Sequence, residues 1–225
     1  MTNEELDQKL YRWPGSDVLK NKLGIRDATE LDKEERVLVG LRIRDGAPKG
    51  DFSLEHLQAI HKHLFQDIFD WAGEIRQVDI SKSHWFMPKD RIGTAFQDIS
   101  KRLDQANMLK GLSPRDFAEE AGPIFGDVNY AHPFREGNGR TQFQYFRQLS
   151  AQAGHDFDER RLTRNEWISA SIAANEANYA PMIDQVGKAI DPGREKGPIG
   201  RALSQSYQAM KTDGVYKPSR GDRDR

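Results

Sequence analysis

The chain has 225 residues, 36% hydrophobic and 31% charged, with a net charge of -1, enough for one domain with a sizeable core or one domain plus a tail. The near-neutral balance gives no global pull toward nucleic acid or an anionic membrane. There is no cysteine, which excludes a disulfide framework, thiolate zinc sites and a cysteine nucleophile.

The opening residues, Met1 to Leu6, are polar and acidic, unlike a secretory signal. No apolar run nears the roughly 20 residues of a membrane helix. The expectation is a cytoplasmic protein with neither nucleic acid nor membrane as a direct partner.

In chain order, Tyr11-Arg12-Trp13-Pro14 and Val18-Leu19 read as an ordered but irregular lead-in, rich in Pro and Gly. Leu31 to Arg44 predicts a helix, with Leu31, Val37, Leu38 and Leu41 between charges and Asp45-Gly46 ending it. Ser53 is an N-cap for a stronger helix carrying Leu54, Leu57, Ile60, Leu64, Phe65 and Ile68. From Gly73 to Pro88 the pattern changes, and Ile75, Val78 and Ile80 among polar residues predict a short β-hairpin. Helical spacing resumes at Ile92, Phe96, Ile99 and Leu103. Ser113-Pro114 starts another helix, and Phe117, Ala121, Ile124, Phe125 and Val128 give it one buried face. Gly139 to Ala153 predicts the next. Thr163 with Glu166 has capping-box spacing, and Pro181 kinks or restarts the helix that follows. After Asp191 the composition turns to Gly, Pro and charge, with Ile199, Leu203, Tyr207 and Met210 at helical spacing. The expected architecture is mostly α: a lead-in over 1–30, a helical domain over 31–190, and a flexible polar tail over 191–225.

The chemistry concentrates in Asn129-Tyr130-Ala131-His132-Pro133-Phe134-Arg135-Glu136-Gly137-Asn138-Gly139-Arg140-Thr141, a loop between two helices. Gly137-Asn138-Gly139 frees the backbone and feeds a helix N-terminus, whose N–H groups and dipole suit an anion. Arg140 in the first turn can reach a phosphate. Glu136 beside such a site calls for Mg²⁺ between carboxylate and phosphate. His132 is the group that can take a proton near neutral pH. Each element alone is ordinary: a turn, a structural histidine, a surface ion pair. Together and in this order they read as a phosphoryl- or nucleotidyl-transfer site.

His132 to Arg140 resembles the Fic motif, His-Pro-Phe-x-(Asp/Glu)-Gly-Asn-(Gly/Lys)-Arg, at every fixed position. Val18 to Ile25 resembles the lead-in of bacterial single-domain Fic toxins. Trp71-Ala72-Gly73-Glu74-Ile75-Arg76, Ile80-Ser81-Lys82 and Phe86 resemble the approach to the Fic flap, so the likeness spans about residues 10 to 190. It implies the Fic fold, a helical bundle with a short β-hairpin flap, and AMP transfer from ATP to a Ser, Thr or Tyr hydroxyl of a target protein. His132 would then be the base, Glu136 the Mg²⁺ ligand, and Gly137, Asn138, Gly139 and Arg140 the phosphate loop, with Phe134 as core anchor. Lys82 and Ser83 would lie by the nucleotide. Ile80, Ser81, Lys82 and Phe86 would dock the target by main-chain pairing.

One departure stands out. The motif usually has a second Arg three residues after the first, holding the γ-phosphate of ATP, and here that position is Phe143. Arg147, and also Arg135, are candidate substitutes. A Fic enzyme with another donor, or a domain that binds without turnover, therefore stays open. Many Fic proteins carry an inhibitory (Ser/Thr)-x-x-x-Glu-(Gly/Asn) helix. No Ser or Thr of this chain is followed by Glu four residues on, so restraint in the family manner implies a separate small antitoxin; since that inhibitory Glu pairs in the family with the second Arg, absent here, a weakened or unnecessary brake stays open. Among the remaining residues, His56, His61 and His63 read as packing or solvated rather than metal-binding. Trp85-Phe86 is either core or target-docking surface. Asn175, Asn178 and Tyr179 fall where the family builds part of its adenine pocket, and capping or packing explains them equally well.

Overall fold

A computed structural model describes residues 1–82 and 84–190. The expectations on Ser83 and on the tail over 191–225 lie outside the described residues. The described chain is mostly helical: α1 (Asn3–Tyr11), α2 (Ala28–Asp45), α3 (Leu54–Phe65), α4 (Ile92–Gln105), α5 (Pro114–Ala131), α6 (Asn138–Ala153), α7 (Arg164–Asn175) and α8 (Ala180–Ile190).

Side-chain caps set most starts. Asp27, Ser53, Ser113 and Thr163 each accept from an N–H three residues on, satisfying a donor that the helix leaves unpaired. Pro114 occupies the first turn of α5, and Pro181 sits in the first turn of α8, so it restarts the helix rather than kinking it. The lead-in is more regular than expected. Residues 3–11 are helical because Thr2 and Glu5 form a reciprocal capping box: the Glu5 N–H donates to Thr2 Oγ1 at 3.2 Å and the Thr2 N–H to Glu5 Oε2 at 2.8 Å.

The core is built on α3, α5 and α6. Leu57, Ile60, Leu64, Phe65, Phe117, Phe125, Phe134, Tyr145 and Phe146 are fully buried. Phe125 of α5 stacks on Phe146 of α6 at 3.8 Å. α7 and α8 pack on α5, and a Cβ at Gly122 would stand 2.5 Å from Ile183 Cγ1, so this close approach requires glycine. On α2 the expected stripe is not the buried one. Leu31, Glu35 and Val39 face inward while Val37 and Leu41 are exposed. No helix among the described residues is long and apolar enough to cross a membrane.

The hairpin expected over 73–88 is reduced to one antiparallel bridge, Ser81 with Trp85. The Phe86 N–H donates to Ile80 O and the Lys82 N–H to His84 O. A ladder does not form because side chains from elsewhere satisfy the approach. Asn3 Nδ2 donates to Asp79 O at 2.9 Å and Asn3 Oδ1 accepts from the Asp79 N–H at 2.8 Å, imitating a strand partner. The Tyr11 hydroxyl accepts from the Gln77 N–H at 3.0 Å.

Candidate active site

α5 ends at His132, which adopts φ 41°, ψ 59°, a left-handed conformation that turns the chain out of the helix. Residues 133–137 then cross to α6, whose N-cap Gly137 has φ 83°. A Cβ at Gly137 would stand 2.5 Å from Cε2 of Phe65, so the loop lies flat on that ring and only glycine fits. Asn138 braces the loop from inside: its Oδ1 accepts from the Phe134 N–H at 2.9 Å and its Nδ2 donates to Phe134 O at 2.7 Å. The Asn138 amide is therefore engaged, and the main chain is what this residue can offer a phosphate. Gly137 supplies no side-chain cap, so the first N–H groups of α6 meet no capping side chain, the arrangement that suits an anion.

The expected base is oriented for its task. His132 Nδ1 lies 3.0 Å from Asn129 O. A carbonyl only accepts, so Nδ1 carries the proton and Nε2 keeps its lone pair. The ring is buried and stacked on Phe86 at 3.7 Å, 15° off parallel. Burial, helped by the charges of Lys82 and Arg76, pulls its pKa down to about 3. Phe86 is thus a buried cover for the His132 ring, while Trp85 beside it is 65% exposed.

The segment over 76–87 is tied to this loop by a residue that the sequence reading placed only as part of a resemblance. The side chain of Arg76 is fully buried. Its Nε donates to His132 O at 2.9 Å, its Nη1 to Val78 O at 2.8 Å, and its Nη2 to Met87 O and, at 3.3 Å, to Ala131 O. A second support is His61. Its Nδ1 accepts from the Gly73 N–H at 2.7 Å, which fixes the proton on Nε2, and Nε2 donates to Glu136 O at 3.0 Å. Its ring stacks on Phe134 at 3.9 Å. His61 therefore packs and braces, and no group of three or more His, Asp or Glu fit to hold a metal occurs among the described residues. α1 adds a third support, because Arg135 pairs with Asp7, Nη2 to Oδ2 at 2.9 Å.

The residues expected to stand in for the second motif arginine lie elsewhere. Arg147 is bound by Glu159, Nε to Oε2 at 2.7 Å, with a second contact through Nη2. It does not reach back toward the loop, because the turn after α6 brings an acid to it first. Arg135 is held by Asp7. Phe143 packs on Trp167, ring centroids 5.1 Å apart, and on Phe157. Of the motif side chains, Arg140 remains at the helix start with its guanidinium 4.8 Å over Phe65. Glu136 is half-exposed, with Oε1 accepting from the Gly137 N–H at 2.9 Å. That leaves its other oxygen for a hard cation, and one or two carboxylates with substrate phosphates is the donor set Mg²⁺ takes. Of the flap residues, Ser81 and Lys82 are exposed and Ile80 is half-buried.

Two histidines buried neutral make stability depend on acid. Both His61 and His132 are pulled by burial from 6.5 to about 3. A depressed histidine is neutral in the fold and protonates first in the unfolded chain. Its contribution is therefore whole above pH ~6.5 and declines as pH falls toward 3. The slope is about 1.4 kcal/mol per pH unit for each group. The Glu35 carboxyl, raised by burial, acts in the opposite sense at lower pH. Urea unfolding at pH 5.5 should give a free energy roughly 2–3 kcal/mol below that at pH 8. A fall of about half that size would mean that one ring is charged in the fold, and an unchanged value that both are.

The sequence matches the Fic/DOC family over residues 51–150. It is 33% identical over 180 residues to the probable protein adenylyltransferase y4lH of Sinorhizobium fredii, covering 79% of this chain and 94% of that one. It is 37% identical over 172 residues to the protein adenylyltransferase VbhT of Bartonella schoenbuchensis, covering 75% of this chain and 36% of that longer protein. Among solved structures, BepC of Bartonella tribocorum with bound AMPPNP superposes with a TM-score of 0.73 at 31% identity, covering 83% of this chain and 98% of that one. On the motif, the fold and these likenesses, the chain belongs to the Fic/DOC family.

Proposed function

We propose that the protein is an adenylyltransferase that moves AMP from ATP to a hydroxyl side chain of another protein. The observation that carries this is His132: a neutral imidazole whose Nδ1 is committed to Asn129 O, at the head of a glycine loop that opens onto an uncapped helix N-terminus. The hydroxyl oxygen attacks the α-phosphorus, its proton passes to His132 Nε2, the bond from the α-phosphorus to the bridging oxygen breaks, and pyrophosphate leaves. A positioned base of this kind contributes about 10²–10⁴-fold. The N–H groups at the start of α6 and the Arg140 guanidinium stabilise charge on the phosphates. Glu136 would hold Mg²⁺, which when bound neutralises phosphate charge. The segment Ile80, Ser81 and Lys82, of which Ser81 and Lys82 are exposed, would dock a target segment by main-chain pairing, with Phe86 keeping that segment over His132.

Both side-chain polar atoms of Asn175 are buried without a hydrogen-bond partner. A donor and an acceptor side by side match an adenine edge, and since both atoms are closed off here, Asn175 would read a base only with its side chain turned outward. The relatives named protein adenylyltransferases, and AMPPNP in BepC, support the same reaction. If the enzyme is restrained in the family manner, a separate antitoxin would supply the inhibitory helix that this sequence lacks. A second reading, a donor other than ATP, is favoured by one observation: Phe143, Arg147 and Arg135 all have partners away from a γ-phosphate.

The test is incubation with a bacterial lysate, Mg²⁺ and labelled nucleotide. α-labelled ATP should mark a protein band that γ-labelled ATP does not. Label from another α-labelled nucleotide, nucleoside diphosphates without a γ-phosphate included, but not from ATP would install the second reading. No protein label from any of these nucleotides would sink nucleotidyl transfer.

A further inference from the structure

Glu35 lies outside the motif, on the inward stripe of α2 between Leu31 and Val39, where an aliphatic residue would bury at no electrostatic cost. A carboxylate taken out of water is expensive unless a partner meets it. The partner is Arg140 of the motif loop, Nη2 to Oε1 at 2.5 Å, and the two side chains are 9% and 32% exposed. Glu35 is therefore closed in, and Arg140 is open on its far side. The guanidinium also lies 4.8 Å over Phe65, the ring on which Gly137 rests. Glu136 is a poorer partner at 3.7 Å. Ring below and carboxylate at one edge fix the plane of the guanidinium, and its remaining N–H groups are left for an incoming anion.

We propose that Glu35 is a positioning residue for the nucleotide: held in α2, it fixes the Arg140 guanidinium in the plane from which it meets a phosphate. The proposal rests on the reading that the start of α6 takes a nucleotide triphosphate. A long side chain ordered before the ligand arrives does not have to be ordered by it, which is worth about tenfold in affinity. The opposing effect is repulsion between Glu35 and the phosphates. Across the intervening guanidinium, at a range of about 7 Å in mostly solvated space, that amounts to about threefold per uncompensated phosphate charge, so orientation dominates when Mg²⁺ neutralises most of that charge. Burial raises the Glu35 carboxyl, and the Arg140 charge counters it.

The experiment is the dissociation constant of AMPPNP with Mg²⁺ by titration calorimetry on the full chain, at a temperature where circular dichroism shows each variant folded. Glu35→Ala should weaken binding about tenfold. Glu35→Gln keeps an oxygen acceptor for Nη2 and should recover most of that loss. Glu35→Asp, which retracts the acceptor by one methylene, should weaken binding about fivefold and serves where the alanine variant does not fold. In an Arg140→Ala background, Glu35→Ala should change binding by less than about twofold, because the effect passes through Arg140. Unchanged or tighter binding in Glu35→Ala and Glu35→Asp would overturn the proposal, the latter by making Glu35 a competitor of phosphate. So would an undiminished loss in the Arg140→Ala background, which marks a general fold defect. Wild-type protein that binds AMPPNP but labels no protein would defeat the transfer reading alone. Wild-type protein that binds no AMPPNP would defeat both.

Discussion

His132→Ala should lower AMP transfer by about 10²–10⁴-fold while AMPPNP affinity stays within roughly threefold. The imidazole is held through Nδ1 to Asn129 O and stacks on Phe86, so its loss falls on proton transfer and on the flap rather than on the phosphate loop that binds nucleotide. Alanine at φ 41° also strains the backbone, and asparagine tolerates this region better. His132→Asn is therefore the cleaner variant: it keeps the turn, cannot take the proton, and should lose as much activity. The pH profile carries a second signature. With the ring neutral down to about pH 3 in the free protein, kcat/KM should show no acid limb between pH 6 and 7. The limb in kcat should lie at higher pH, because a bound triphosphate places negative charge near the ring and raises its pKa. Initial rates with α-labelled ATP across pH 5–9 read both. Residual transfer within tenfold of wild type in both variants would remove His132 from the role of base.

What the sequence made legible here was local. Ser53, Ser113 and Thr163 announced their helices because a cap acts on an N–H three residues away. The motif was legible because His132, Glu136 and the glycine loop are contiguous. α1 could have been found from Thr2 and Glu5, a capping box passed over because the residues after it are polar. The bracing was not legible. Asp7 and Arg135 are 128 positions apart, and Arg76 reaches His132 across 56. Such pairs are ordinary charges and carbonyls until the fold brings them together. Glu35 was hidden for the opposite reason: apolar spacing points to Val37 and Leu41, while the buried stripe of α2 carries a charge that pairs with Arg140. The hairpin is reduced among the described residues for a similar reason. Alternation suggested strands, but Asn3, Tyr11 and Arg76 take the polar groups that a second strand would have paired.

Arg76→Leu should destabilise the protein by about 3–5 kcal/mol, lowering the melting temperature by roughly 10 °C at 2–4 °C per kcal/mol for a chain of this size. The guanidinium is fully buried and supplies donors to the carbonyls of Val78, Met87, Ala131 and His132. Leucine fills part of the volume but leaves those acceptors without a partner and too deep for water. Arg76→Lys keeps the charge, yet a single ammonium cannot span four carbonyls on three segments, so it should recover less than half of the loss. The damage should be local as well as global. Val78 and Met87 flank the approach and return of the flap, while Ala131 and His132 end α5, so this one side chain sets the edge that faces a target relative to the base. Hydrogen exchange over 77–87 should accelerate more than exchange in α3, whose amides do not depend on Arg76. A uniform acceleration would mean that the residue only stabilises the fold. A melting temperature within about 2 °C of wild type would mean that the carbonyls find other donors and that the flap does not depend on Arg76 for its place.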